Sequence, residues 1–286
     1  MLIAITSDLH YSKLGCMRNL ELFGRFLNRL GKIKPDVIVV CGDFTGCGYI
    51  EDFTRLVRII RRASPHTVQV YVFGNHDLWL SKNEMRKGLD SLEKMEKYSR
   101  KAEEAGVYIL DLHGPLKLED VWLVGAVGWY DYSYASHLNF PYESFVKGTP
   151  YPDCEIPHGN IFIPTIHCPE WWVDKVRVRI PFSDEEFLEI NVKKLEKQLS
   201  KAGRKTMLFL HHVPKRALLP YTGKPFTDFF RAYDSSEKLG AVAERFEVEK
   251  VFFGHKVLAK SAEINGVKYL NAHIREDKVM IIQSIN

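Results

Sequence analysis

The chain has 286 residues, 45% of them hydrophobic and 27% charged, with a formal net charge of +4. That is the balance of a soluble globular chain, and no stretch approaches the about 20 consecutive apolar residues of a membrane helix. The charge falls short of a dedicated nucleic-acid binder's, and the five cysteines, with no Cys-x-x-Cys, argue against a disulfide framework or a zinc ribbon.

The opening Met-Leu-Ile-Ala-Ile-Thr-Ser-Asp has neither a basic segment nor a cleavage pattern. It reads as a first core strand and not as a signal peptide, and a cytoplasmic location with reduced thiols is the expectation. Residues 19–33 predict a helix with Leu20, Phe23, Phe26, Leu27 and Leu30 on one face. Residues 50–62 and 83–105 predict two more, the latter stopped by Gly106. Strands follow at Val107–Leu110, Leu116–Leu118 and Val121–Val127, and a helix at 184–202 with Ser183 as cap and Glu186 as its partner. A helix over 235–246 precedes a tail of strands at Ala262–Ile264, Val267–Asn271 and Val279–Ile282, with Asn265-Gly266 as a hairpin turn.

Residues 128–182 differ from the rest. They are rich in aromatics and prolines, among them Trp129, Tyr130, Tyr132, Tyr134, Trp171 and Trp172, with weak periodicity. So long a stretch in a compact domain is functional or disordered, and aromatic richness argues against disorder. The expectation is one domain over 1–286 with a cap-like insertion at about 128–182 that shapes a substrate pocket; the alternative is an aromatic cluster sealing a sheet flank or a dimer contact. Cys154 and Cys168 are able to pair across it.

Chemistry enters at the ends of five apolar runs: Leu2–Thr6, Asp36–Cys41, Val68–Phe73, Thr206–Leu210 and Val248–Phe253. Each is followed by residues able to bind metal: Asp8-Leu9-His10, Gly42-Asp43, Gly74-Asn75-His76-Asp77, His211-His212 and Gly254-His255. Strands alternating with helices predict a sheet with crossover helices, whose carboxyl ends form the active edge. Asp8 and His10, two residues apart on an extended chain, point to the same side and can reach one ion. Asp43, with two carboxylate oxygens, can bridge two. Glycine before a ligand tolerates the turn that swings the next side chain over the edge.

These blocks, in this order, resemble the calcineurin-like metallophosphoesterase family; the matching motifs are Asp8-Leu9-His10, Gly42-Asp43-Phe44-Thr45-Gly46, Gly74-Asn75-His76-Asp77, His211-His212-Val213-Pro214 and Gly254-His255. The resemblance implies an α/β four-layer sandwich of two mixed β-sheets flanked by helices. It implies two divalent transition-metal ions, the first on Asp8, His10 and Asp43, the second on Asp43, Asn75, His211 and His255. A mixed nitrogen and oxygen set suits Mn, Fe, Zn, Co or Ni better than Ca. It also implies that His76 protonates the leaving oxygen; Asp77 is expected to orient it, as carboxylates commonly fix imidazoles. The pair His211-His212 alone reads as a buried pair or as one inward and one outward; His211 is taken as the ligand with His212 behind it.

One departure stands out. Family members commonly read Gly-His-x-His in the last block, where this chain has Gly254-His255-Lys256-Val257, and valine cannot ligate. The first site is then weak, or completed by water, or completed by His273 of Asn271-Ala272-His273. The expected function is a metal-dependent phosphoesterase in which a metal-activated hydroxide attacks a small organic or nucleotide phosphoester. Alternatives are a nuclease and a metal-binding scaffold protein with a degraded first site. A small-molecule partner is expected, with no membrane and with nucleic acid not favoured.

Overall fold

A computed structural model describes residues 1–13, 20–151 and 171–285. Two mixed sheets lie face to face between helical layers. The first has the strand order β11-β1-β2-β3-β4, with β1 Leu2–Thr6, β2 Val37–Cys41, β3 Val68–Val72, β4 Tyr108–Ile109 and β11 Ile281–Ser284. The second runs β5-β6-β7-β8-β10-β9, with β5 Leu116–Leu118, β6 Val121–Ala126, β7 Thr206–Leu210, β8 Lys250–Phe253, β9 Ala262–Ile264 and β10 Val267–Asn271. β1 to β4 are mutually parallel, as are β6, β7, β8 and β10; β11, β5 and β9 add antiparallel edges.

The continuous apolar runs follow from burial on both faces. Along β1, β2 and β3, Ile3, Ile5, Val37, Val39, Cys41, Val70 and Val72 face a core shared with Leu123, Met207, Phe209 and Phe252 of the second sheet. The alternate residues, Ala4, Ile38, Val40 and Tyr71, face the helical layer with Phe26, Leu30, Phe53, Leu56 and Tyr98. Period-two alternation thus divides the buried apolar residues of these strands between two cores.

The helices at Leu20–Ile33 and Ile50–Ala63 fall where periodicity places them, although Leu20 itself is exposed. The expected single helix over 83–105 is instead two, Lys82–Arg86 and Ser91–Ala105. Gly88, with φ 74°, breaks the first, and Asp90 restarts the second: Glu93 N donates to Asp90 Oδ1 at 2.8 Å, and Asp90 N donates to Glu93 Oε2 at 3.0 Å. The Ser183–Glu186 box opens Asp184–Lys201 as anticipated, and Gly106 ends its helix in the left-handed region. Val107–Leu110 yields only the two-residue β4 before a helical turn, Leu110–His113. The last strand is Ile281–Ser284, two residues beyond the expected Val279–Ile282, because its partner is β1 and not the tail hairpin.

Cys154 and Cys168, and so their pairing, lie outside the described residues; the described part of 128–182 packs around aromatic rings. Trp129, Tyr130, Tyr132 and Tyr134 are buried; Trp129 stacks on Tyr130 at 4.7 Å, and Phe145 stacks on Phe229 at 4.8 Å. Trp129 Nε1 donates to Asp184 Oδ1 at 2.7 Å and Tyr233 Oη to the Phe145 carbonyl at 2.8 Å, so the polar ends of Trp129 and Tyr233 are satisfied as they are buried. Cys41 is a free, buried thiol, but Cys47 is disulfide-bonded, which corrects the expectation of reduced thiols. Among the described residues no helix is long and apolar enough to cross a membrane.

Candidate metal centre

The parallel strands bring their carboxyl ends to one edge. β1, β2, β3, β7 and β8 deliver Asp8 with His10, Asp43, Asn75 with His76, His211 with His212, and His255. A sixth strand joins them: β10 runs parallel to β8 and ends just before His273. All these side chains are buried except His255 and His273, which are partly so.

The chain bends sharply to achieve this. Asp8, His10, Asp43 and His255 have φ values of 58°, 43°, 49° and 67°, left-handed conformations that cost of order 1–3 kcal/mol each in a residue other than glycine. The expected role of the preceding glycines is therefore only partly right. Gly42 does take the turn, with φ 84°. Gly74 and Gly254 are needed for space instead. A Cβ at Gly74 would sit 2.8 Å from Asp43 Cγ and nearer still to Asp43 N and Oδ1; one at Gly254 would sit 2.5 Å from Asp8 Oδ2.

Two groups of ligand atoms result. Asp43 Oδ1 lies 3.4 Å from His211 Nε2, while its Oδ2 lies 3.6 Å from His10 Nε2, so the carboxylate faces both ways. On the first side, Asp8 Oδ1 is 3.8 Å from His10 Nε2 and 3.5 Å from His273 Nε2. Asp8 Oδ2 is tied off by the Ser7 hydroxyl at 2.5 Å and the His255 backbone N–H at 3.0 Å, leaving Oδ1 for the centre. On the second side, His211 Nε2 lies 3.0 Å from Asn75 Oδ1 and 3.2 Å from His255 Nδ1. Asp8, Asp43 and His211 offer ligand atoms within 4.8 Å of one another, and so do His10, Asp43 and His76.

These atoms have little proton to share. His211 Nδ1 donates to the Cys41 carbonyl at 3.1 Å, and burial pushes this imidazole down to about 3, so its Nε2 carries a lone pair. That lone pair meets a carboxylate oxygen and an amide oxygen. Burial first, then the Asp8 and Asp77 charges, pushes Asp43 well above the usual carboxylate range. Converging acceptors and crowded buried carboxylates are costly without a cation among them. The donor set is thus one that divalent ions fit.

Supporting groups complete the picture. His255 Nε2 points to Asp234 Oδ1 at 3.8 Å, and Lys256 Nζ lies 2.8 Å from the same oxygen. His212 Nδ1 donates to the Val127 carbonyl at 2.9 Å, and its ring packs 4.6 Å from that of His255. His76 Nδ1 donates to the Gly46 carbonyl at 2.8 Å, which turns Nε2 toward Asp43 Oδ2, 3.8 Å away. The partner at Nδ1 is therefore Gly46 and not Asp77. Asp77 acts one step back: it accepts from Gly74 N at 2.9 Å, Thr45 N at 2.8 Å and Thr45 Oγ1 at 2.7 Å, pinning the loop that carries Gly46. By position alone His76 shares the His10–Asp43 group; its separate role rests on resemblance. Val257 is exposed and lines a cavity of about 360 Å³ with Asp8, His10, His273 and Arg275.

Sequence reasoning missed three residues here. Trp79 stacks on His76 at 3.6 Å, with the Arg177 guanidinium 4.8 Å above its ring. Asp174 is 1% exposed and accepts from Asn75 Nδ2, Trp79 Nε1 and Trp172 Nε1. Asp234 sits behind His255. None lies at a strand end, which was the signal in use.

A two-sheet sandwich with Asp, Asn and His gathered at the carboxyl edge is the arrangement of metallohydrolase scaffolds. The calcineurin-like phosphoesterase profile matches residues 1–258, and the chain belongs to that family, hydrolases acting on phosphoester bonds. Among solved structures it is similar to phosphopantetheinyl hydrolase (PptH) from Mycobacterium tuberculosis, with a TM-score of 0.67 and 16% identity over 95% of this chain and 88% of that one. It also matches GAP50, the anchor in the inner membrane complex of Plasmodium, with a TM-score of 0.43 and 11% identity over 96% of this chain and 71% of that one. No curated protein matches the chain.

Proposed function

We propose that the chain is a metal-dependent phosphoesterase that hydrolyses a small organic or nucleotide phosphoester at the Asp43 centre. The observation that carries this reading is the meeting of Asn75 Oδ1 at 3.0 Å and Asp43 Oδ1 at 3.4 Å on the unprotonated His211 Nε2 on one side, and of Asp43 Oδ2 and His10 Nε2 at 3.6 Å on the other. Asp8, His10 and Asp43 would hold one ion, and Asp43, Asn75, His211 and His255 the other. His273 would complete the first in place of Val257: its Nδ1 donates to the Ile274 carbonyl at 2.7 Å, which leaves Nε2 for the centre. Such ions supply Lewis-acid polarisation of the phosphoryl group and a water-derived nucleophile near neutral pH.

The protein's own part is positioning and proton transfer. Gly46 holds His76 so that Nε2 faces the centre, where a proton on that atom can pass to the leaving alkoxide, a step worth about 10²–10⁴-fold. Trp79 fixes the ring from one face. Asp77 keeps the Gly46 loop in place. Trp172, whose ring meets that of His255 edge-on at 6.0 Å, brings the insertion to the second site, where an aromatic wall suits a base or an apolar leaving group.

The test is metal stripping followed by Mn²⁺ restoration, with metal content and hydrolysis measured on a panel. The panel holds an aryl phosphodiester, an aryl phosphomonoester, a nucleotide, single-stranded nucleic acid and a phosphopantetheinylated carrier protein. The reading expects hydrolysis that depends on added ion and favours the small esters. Two bound ions without hydrolysis of any member would make the chain a scaffold; preference for nucleic acid with steep salt dependence would make it a nuclease.

A further inference from the structure

Asp174 begins the short helix Asp174–Arg177 in the aromatic segment, far in sequence from any candidate ligand. Its carboxylate accepts from Asn75 Nδ2 at 2.9 Å and Trp79 Nε1 at 2.5 Å through Oδ1, and from Trp172 Nε1 at 2.7 Å through Oδ2. An indole N–H is a donor only. The two tryptophans therefore commit both oxygens of Asp174 to accepting, and Asn75 has to present its NH₂ to them. That leaves one orientation for the amide: its oxygen faces His211 Nε2, 3.0 Å away. The flipped amide would set a carbonyl oxygen against a buried carboxylate and turn two N–H donors toward the centre.

We propose that Asp174 is the positioning residue that fixes Asn75 with its oxygen toward the second ion, so that the aromatic insertion sets that ion's affinity. This rests on the two-ion reading above. The same carboxylate also holds the indole of Trp79, and that ring lies on His76. One buried charge thus orients a ligand of the metal centre and steadies the platform of the proton donor. Outer hydrogen-bond partners of metal ligands typically control 10–100-fold in affinity.

The experiment is calorimetric titration of Mn²⁺ into metal-stripped wild type, Asp174→Asn and Trp172→Phe. Anomalous diffraction at limiting Mn²⁺ reads the occupancy of each site separately. Asp174→Asn keeps the shape but sets an NH₂ against a donor, and should weaken the second ion about 10–100-fold while leaving the first within about threefold. Trp172→Phe removes one donor, lets the carboxylate turn, and should weaken the second ion by a smaller factor in the same direction. A purely structural role would lower the unfolding temperature without this selectivity. Unchanged second-ion affinity in folded protein of either variant, or equal loss at both sites, overturns the inference. A wild type that never takes up a second ion overturns the reading beneath it instead.

Discussion

Gly74→Ala tests the packing of the centre without removing any candidate ligand. The added methyl would stand 2.8 Å from Asp43 Cγ and closer to the Asp43 backbone nitrogen. Carbon atoms settle at about 3.5–4.0 Å, so roughly 1 Å of separation has to come from somewhere. The Asp43 side chain alone cannot give it, because a backbone atom is in the way. The loops after β2 and β3 have to part, and these carry Asp43, which faces both sites, and Asn75, which faces one. Overpacking costs about 1–3 kcal/mol of stability, and a 1 Å misplacement of reacting groups costs about 10²-fold in rate. We expect kcat/KM to fall by about 10²-fold or more, with weaker uptake of both ions by titration. Gly223→Ala is the control: φ is 75°, but nothing lies within 4 Å of the added atom, so it should lose only the about 1–2 kcal/mol of left-handed backbone. Gly74→Ala with wild-type ion affinities and activity would refute the steric reasoning.

His76→Ala should lower kcat about 10²–10⁴-fold with unchanged metal content, and less for esters with good leaving groups; equal losses across leaving groups would count against proton donation. Asp77→Asn places an amide among the N–H groups of Gly74, Phe44 and Thr45 and should cost about 1–3 kcal/mol for each donor stranded, read by denaturant unfolding; a neutral result would remove Asp77 from its supporting role. His273→Ala should weaken the first ion about tenfold or more while Val257→His recovers part of the loss; equal affinity with and without His273 would leave that ligand position to solvent. Burial holds His212 down at about 4, against 6.5 when free. Between these values the unfolded chain binds a proton that the folded one does not. The contribution is therefore complete above pH 6.5 and lost as pH falls toward 4, amounting to about 3 kcal/mol. Metal-free His212→Gln should show that much less acid sensitivity than metal-free wild type, and parallel pH–stability curves would contradict the assignment.

The strand ends were legible because parallel strands buried on both faces leave unbroken apolar runs, and Asp8, Asp43, Asn75, His211 and His255 sit just past them. His273 was harder to weigh, since its place depends on β10 lying parallel to β8, a pairing that the local pattern Val267–Asn271 does not reveal. The break near Gly88 was hidden by helix-like periodicity on both sides of it. The work of Gly74 and Gly254 was misread as conformational freedom, because close approach between two distant loops leaves no trace in either loop's sequence. Asp174 was invisible for the same reason: its partners Asn75 and Trp79 are 99 and 95 residues away. Among the described residues of 128–182, Trp129, Tyr130, Tyr132 and Tyr134 form a buried aromatic cluster, while Trp172 reaches the candidate centre.

The central claim is that Asp43 stands between two metal ions. Crystals grown in saturating Mn²⁺ and measured at the manganese absorption edge test it most directly. The account predicts two anomalous peaks about 3.5–4 Å apart, one against Asp43 Oδ2 with Asp8 and His10, the other against Oδ1 with Asn75, His211 and His255. A single peak away from Asp43, or none at saturating Mn²⁺, would contradict it.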